Sequence, residues 1–479
     1  MATKFVATIK PSGQSGDYTT LNGCEAGLQN DLSLDTILVF SISAASSPTI
    51  TAGTAVVGVT SGATGVCVLV NAAQTQILIK TIAVAAFQSL EVVKKSTDAN
   101  VNVTLSNAGD NPILQHRYDG DWSAAPDSSA TIISGSTTTA VRYIGIDTSP
   151  TCRNYSAKWD TTKQVLSVAN SMGLYISNVN FVRLDGLQIE VNATNANAEL
   201  PLNIANIAAG GSEFWISNCI MRGAASATYS YNVLSIGDTD IVTVKVWNTI
   251  LHHRGGTTGS DLGLHNSSVN LYLGNVTCYG GKYGIGMISA VAGTYYLRNV
   301  LSTNTSDKDF FFTTGPTYDV DYCASEDATA DDKGAAHNRT DQTFSFIAPY
   351  ATDFHLMDSD KGAKWYGTSM VEDANIPYST DIDGETVGDR WNIGADGFPN
   401  VPEGTLETAD IIIPETELPI ELAGNIHVFI GLSTDTKPTD VPLNSKFTEL
   451  NTGKKFIWTG ETWVEDLTLI HAFSQTLFK

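Results

Sequence analysis

"FWISNCIMRG", residues Phe214 to Gly223, alternates apolar and polar side chains until it reaches Asn218. A carboxamide between Ile216 and Ile220 interrupts what otherwise reads as a β-strand with one buried face. The interruption recurs. "VKVWNTILHH" (Val244 to His253), "LYLGNVTCYG" (Leu271 to Gly280) and "YYLRNVLSTN" (Tyr295 to Asn304) place Asn248, Asn275 and Asn299 in the same setting. Upstream, "VRLDGLQIE" (Val182 to Glu190) offers Asp185, and downstream "YDVDYCASE" (Tyr318 to Glu326) offers Asp321. Successive central residues lie 33, 30, 27, 24 and 22 positions apart. A repeat in this range marks a solenoid.

The period within each copy is that of a strand, not a helix. Turn-forming stretches such as "GGTTGSDLGLHNSS" (Gly255 to Ser268) separate the copies. Each copy therefore reads as one coil of a parallel β-helix. Asn218, Asn248, Asn275 and Asn299 are expected in one inward-facing stack, with Asp185 and Asp321 as its ends, hydrogen-bonded from coil to coil. Cys219, Cys278 and Cys323 fall beside these corners as small core-filling residues. No CxxC pairing suggests a metal.

The chain has 479 residues, a formal net charge of −23 and a pI near 4.6. Such acidity excludes a phosphate-binding basic face, so no nucleic-acid partner is expected. The opening "MATKFVATIK" carries no apolar signal core, and no stretch of about 20 apolar residues would span a membrane. The six cysteines read as free thiols of a chain made in a cytoplasm.

Five regions follow. Residues 1–47 hold a short capping helix within Tyr18 to Leu32 and a first coil, in which "DTILVFSIS" (Asp35 to Ser43) is a strand. Residues 48–110 read as a small all-β insertion with Gly turns. Residues 111–396 are the β-helix, from about Pro112 to Asp360, and a terminal cap containing "ATDFHLMDSD" and "DIDGETVGDRWNIGAD". Residues 397–424 form a Pro- and Glu-rich linker. Residues 425–479 contain a hairpin around "NTGKK", with Trp458 and Trp463, and a final helix presenting Leu469, Ile470, Phe473 and Leu477. That helix is too short to stand alone, so this module is the expected assembly element.

Three parts of the chain carry a resemblance. "KPSGQSGDYTTLNGCEAGLQ" (Lys10 to Gln29), "FVRLDGLQI" (Phe181 to Ile189) and "DFHL…DIDG…DRWNIGAD" resemble the right-handed parallel β-helix proteins of tailed phages, over roughly residues 1–47 and 110–396. "GVTSGATGVCVLVN" (Gly58 to Asn71) is similar to small β modules of phage virion proteins, and Gly431 to Leu477 resembles a C-terminal module of such proteins. The family pattern usually has Asp where this chain has Asn392, and often Glu where it has Gly397. The resemblance implies a structural virion protein: a capsid-surface decoration or head-fibre protein, assembled as a homotrimer. Its partners would be its own copies, the major capsid protein or another virion protein, and a host surface glycan. It implies no catalytic residue, no cofactor and no membrane insertion.

Two alternatives share the fold. A tail-spike depolymerase needs two carboxylates flanking a sugar groove, for which Asp185, Glu213, Asp238 and Asp240 are the nearby acids. A glycan-binding module would use Trp247, Tyr272 and Tyr283. Adjacent His252 and His253 point to opposite faces of a strand and do not suggest a shared metal. Asp381, Asp383 and Asp396 could supply oxygen ligands to calcium, but without EF-hand spacing they read as solvated turn carboxylates.

Overall fold

The computed structural model describes residues 2–397 apart from 83–84, 193–199, 208–210, 224–231, 238–241, 256–257, 266–267 and 288–291. Beyond 397 it describes 428–431, 437, 445–449, 454–459 and 461–465. The described residues are nearly all β, with one α-helix, Leu21–Leu28. Two units are separated at Asn400 and Val401.

The first unit is built on long parallel sheets. The chain visits three faces in turn. Face A holds strands such as Phe181–Asp185 and Ser212–Ser217, face B holds Gln188–Asn192 and Ile220–Arg222, and face C holds Leu202–Ala205 and Leu234–Gly237. Each strand pairs in parallel with its counterpart one repeat on. Val242–His253 and Val269–Gly280 run through faces A and B without a break. Register puts Leu184, Ile216, Val246, Leu273, Leu297 and Val320 in one row across successive coils. All six are buried in the main core. Such like-on-like stacking follows from alternation, because one face of every strand must be buried.

The parallel pairing extends from Ala2–Ile9, paired with Asn111–Tyr118, to Ala324–Ser325. The helix Leu21–Leu28 closes one end. Thr20 caps it by accepting from the Gly23 N–H at 3.1 Å, and Leu21, Cys24 and Leu28 enter the core. At the far end the 3-10 turn Ala328–Asp331 packs Ala330 onto the core.

Two expectations shift. The strand Ile37–Ala45 is not a coil strand; it pairs antiparallel inside a closed six-stranded barrel that ends at Leu105. Its Ile37 and Val39 reach the main core while Phe40 fills the barrel core, so one strand serves both. The segment expected as a terminal cap instead lies along the side of the stack. Phe354, Leu356, Ile382, Ile393 and Ala395 cover Val165, Ile220, Ile250, Tyr279, Leu301 and Ala324, the outward side chains of successive face-B coils.

All six cysteines are free and buried. In the second unit, Lys446–Glu449 pairs antiparallel with Lys455–Trp458, and that strand pairs with Trp463–Glu465. Trp458 faces Trp463 in register, ring centroids 5.5 Å apart. Residues 398–424 and Leu469, Ile470, Phe473 and Leu477 lie outside the described residues.

Candidate functional site

The repeated asparagines sit where face A turns into face B. Asn218, Asn248, Asn275 and Asn299 have φ of 53°, 49°, 49° and 55°. This left-handed region suits Asn, whose short side chain can hydrogen-bond locally. One such residue bends a continuous strand without ending it. Register places Gly186, φ 74°, and Tyr322, φ 54°, at the same corner in the flanking coils. Asp185 and Asp321 are therefore one place early: Asp185 pairs with Ser217 and Asp321 with Arg298. The corner selects a backbone conformation, which glycine meets without any polar group.

The side chains form two short runs. Asn218 Nδ2 donates to Asp185 Oδ1 at 2.6 Å, and Asn248 Nδ2 to Asn218 Oδ1 at 3.2 Å. Asn299 Nδ2 donates to Asn275 Oδ1 at 2.8 Å. Between the runs, Asn248 Oδ1 has no partner among the described residues. The covering segment seals the corner: Asn299 Nδ2 also donates to Thr368 O, and Asn299 Oδ1 accepts from Thr368 N–H, each at 2.8 Å. Asn248 Nδ2 also donates to Thr380 O at 2.8 Å.

Burial opposes ionisation of Asp185, but Arg153, Asn218 and Ser217 together hold its carboxyl below the usual range. Arg153 grips it with bonds of 2.5 and 3.0 Å. Glu213 faces Lys245 at 3.4 Å. Asp238 and Asp240 lie outside the described residues.

Outside face A, register lines up Gly145, Arg183, Trp215, Lys245, Tyr272 and Tyr296. The Arg183 guanidinium lies 3.8 Å from the ring centres of both Tyr143 and Trp215, a cation between two π faces. Gly145 leaves a shallow groove of about 160 Å³ beside it. Trp247 and Tyr272 pack against the covering segment with Met370, Ile376, Tyr378 and Trp391. Tyr283 stacks on Phe311 at 4.8 Å. His252 packs edge-on against Tyr279 and Phe354, and burial lowers its pKa to about 3.

A further group of ionisable side chains lies in a cleft of about 660 Å³ where the covering segment meets the loop around Ala157. Phe346–Ala348 and Asp353–Leu356 form an antiparallel pair, and Phe354 N–H donates to Ala157 O at 3.0 Å. Alternation along Asp353–Leu356 puts Asp353 and His355 on one side. His355 Nδ1 meets Asp353 Oδ1 at 2.5 Å, and Nε2 lies 3.3 Å from Asp383 Oδ2 and 3.4 Å from Ser156 Oγ. Asp396 accepts from Leu356 N–H at 2.7 Å. Hydrogen bonding to Asp383 and to Asp353 raises the His355 pKa to about 9 against the effect of burial. Burial and the charge of Asp383 push Asp396 well up. The same two causes raise Asp381 to about 7.

Of the three acids considered for calcium, Asp383 and Asp396 converge here with His355. Asp381 does not join them. Its oxygens accept from the Glu385 and Gly397 N–H groups at 2.9 and 3.1 Å, and so shape the turn. His355 and Asp353 were not singled out from the sequence, although the Asp-x-His spacing in "DFHL" carries the signal. No family model, curated protein or solved structure matches the chain.

Proposed function

We propose that the chain is a structural protein of a tailed-phage virion, whose coils form a right-handed parallel β-helix standing as a homotrimer on the capsid surface. The observation that carries this reading is the sealed corner. The residues the sequence repeats are turned to bending and bonding the coils, and the covering segment bonds Asn248 and Asn299 from outside. A repeated feature buried in this way builds a stiff shaft and presents nothing to a substrate. The acids nearest the coils support a non-enzymatic role as well, since Asp185 and Glu213 are each engaged by a cation. A general acid and a free carboxylate partner would be needed for glycoside cleavage.

The test is microscopy of particles from a lysate that produces the chain, with an antibody raised against the barrel Ile37 to Leu105. Label on the head in threefold clusters is expected. Label confined to the tail would support the spike reading and overturn capsid placement, and unlabelled particles would overturn a virion role. Host capsule incubated with the purified chain should keep its length; shortening would establish a depolymerase.

A further inference from the structure

The cleft beside Ala157 is lined largely by carboxyl groups. Asp353, Asp358, Asp383, Glu385 and Asp396 line it, and among the described residues no Lys or Arg does. From outside, Lys158 reaches Asp353 Oδ2 at 3.7 Å and Lys364 reaches Asp358 Oδ1 at 3.3 Å, which leaves Asp396 without a Lys or Arg partner among the described residues. Isolated buried carboxylates are costly, and a proton or a cation must offset them.

The arrangement is more specific than an acidic patch. One ligand atom each from His355, Asp383 and Asp396 fits within a sphere of mutual distances no greater than 4.8 Å. The His355 Nε2 to Asp383 Oδ2 separation is 3.3 Å. Two ligands about 2.1 Å from one tetrahedral ion stand roughly 3.4 Å apart. Asp396 is 5 % exposed and lines the cleft, with one oxygen bonded to Leu356 N–H. On the far side of the ring, Asp353 holds Nδ1 at 2.5 Å. A carboxylate on the second nitrogen is how metal-binding imidazoles are oriented, leaving the first nitrogen to face the ion.

We propose that His355 Nε2, Asp383 and Asp396 bind a divalent first-row transition ion of the zinc class, with Asp353 as the positioning residue. The imidazole decides the class. Calcium prefers an all-oxygen shell, whereas imidazole suits zinc and its neighbours. The ion takes the place of the proton on Nε2, which leaves to solvent, so binding weakens as pH falls. The open side of the cleft leaves room for water to complete the shell. Because the three ligands come from two distant stretches of the covering segment, the ion would clamp that segment on itself beside face B. This inference stands whether or not the virion role holds, since it needs only the isolated chain.

The experiment is calorimetric titration of the full chain with Zn²⁺, and separately with Ca²⁺, alongside H355Q, D396N and D353N. One Zn²⁺ per chain is expected, with binding lost in H355Q and D396N and weakened by about 10–100-fold in D353N. No Zn²⁺ binding, binding unchanged in H355Q and D396N, or a preference for Ca²⁺ would each overturn the site. X-ray absorption on the Zn²⁺-loaded natural chain needs no variant to fold. A shell with one imidazole and otherwise oxygen is expected, and a sulfur ligand or no imidazole would overturn it.

Discussion

The coil stack and the six-stranded barrel belong to one unit, yet they solve chain reversal in opposite ways. In the barrel, strands such as Ala55–Gly58 and Thr64–Val70 pair antiparallel, linked by short turns containing glycine such as Gly62, φ 70°. In the stack, a single left-handed Asn inside a strand turns the chain through a corner, and the next coil lands parallel on the last. Both regions are β-rich in sequence. The difference lies in where the positive-φ residue sits: between strands it makes a hairpin, and within one it makes a corner. The barrel then depends on a closed apolar core, while the stack adds a polar seam at its corner.

Variants at four positions break or sharpen that contrast. The largest effect is expected from Phe40→Ala, which empties the barrel core where Phe40 meets Phe87 at 5.6 Å. Deleting a buried ring removes about 3–5 kcal/mol. Hydrogen exchange should rise across 37–105 and stay slow in Val242–His253 and Val269–Gly280. Equal loss in both regions would show one cooperative unit.

Asn299→Ala comes next. It strands Asn275 Oδ1, Thr368 O and Thr368 N–H and leaves a residue with Cβ at φ 55°. Stranded buried groups and left-handed strain suggest a loss of about 3 kcal/mol by denaturant unfolding. Asn299→Gly relieves the strain alone and should recover about 1 kcal/mol of it. If the two variants are equally stable, the corner is set by the side chain and not by φ.

Acid–base behaviour separates the stack's capped end from its corners. Glu25 on the helix lies 3.7 Å from His116, with Ser134 and Gln29 also against it, and neither His116 nitrogen has a hydrogen-bond partner among the described residues. Burial raises Glu25 to about 7 and lowers His116 to about 4. For Glu25 the folded chain keeps a proton that the unfolded chain releases above its ordinary value of 4.5, so stability falls as pH rises from 4.5 to 7. His116 acts oppositely: stability is lost as pH falls from 6.5 toward 4. Glu25→Gln should therefore stabilise the chain by about 2 kcal/mol at pH 8 and leave it unchanged at pH 4. Thermal unfolding at the two pH values measures this, and an equal shift at both would rule out the proton as the cause.

The smallest effect belongs to Arg183→Ala on the outer surface of face A. Losing contact with Tyr143 and Trp215 should cost about 1 kcal/mol in denaturant unfolding. A loss as large as that of Asn299→Ala would mean that the outer stack, and not the corner, ties the coils together.

The repeat was legible because the left-handed corner tolerates few residues and Asn is one of them. The same physics explains the two misplaced ends. Asp185 resembles Asn chemically, but the corner asks for φ, and Gly186 answers it one residue later. The strand Ile37–Ala45 reads as a coil strand because its Ile37 and Val39 do enter the coil core; nothing local to it reveals antiparallel partners. The lateral cover was the least legible part. Apart from the short strand Asp353–Leu356, its contacts are scattered single residues, such as Ile382, Ile393 and Ala395, drawn from irregular backbone without period. For the same reason the cleft escaped notice, since Asp353 and His355 meet Asp383 and Asp396 only after that cover has folded back.

The buried thiols bear on how this molecule can be handled. Cys24, Cys67, Cys152, Cys219, Cys278 and Cys323 are enclosed, and burial raises the pKa of each, to about 12 for Cys67, Cys219 and Cys323. Maleimides and gold clusters attack thiolates, and these six offer almost none to solvent while the fold holds. The natural chain is thus already silent toward thiol-directed probes. A cysteine introduced at exposed Val141, just before the coil strand Ile144–Thr148, or at exposed Tyr350 in the lateral cover would be addressed alone, placing a fluorophore or heavy-atom marker on a chosen part of the unit.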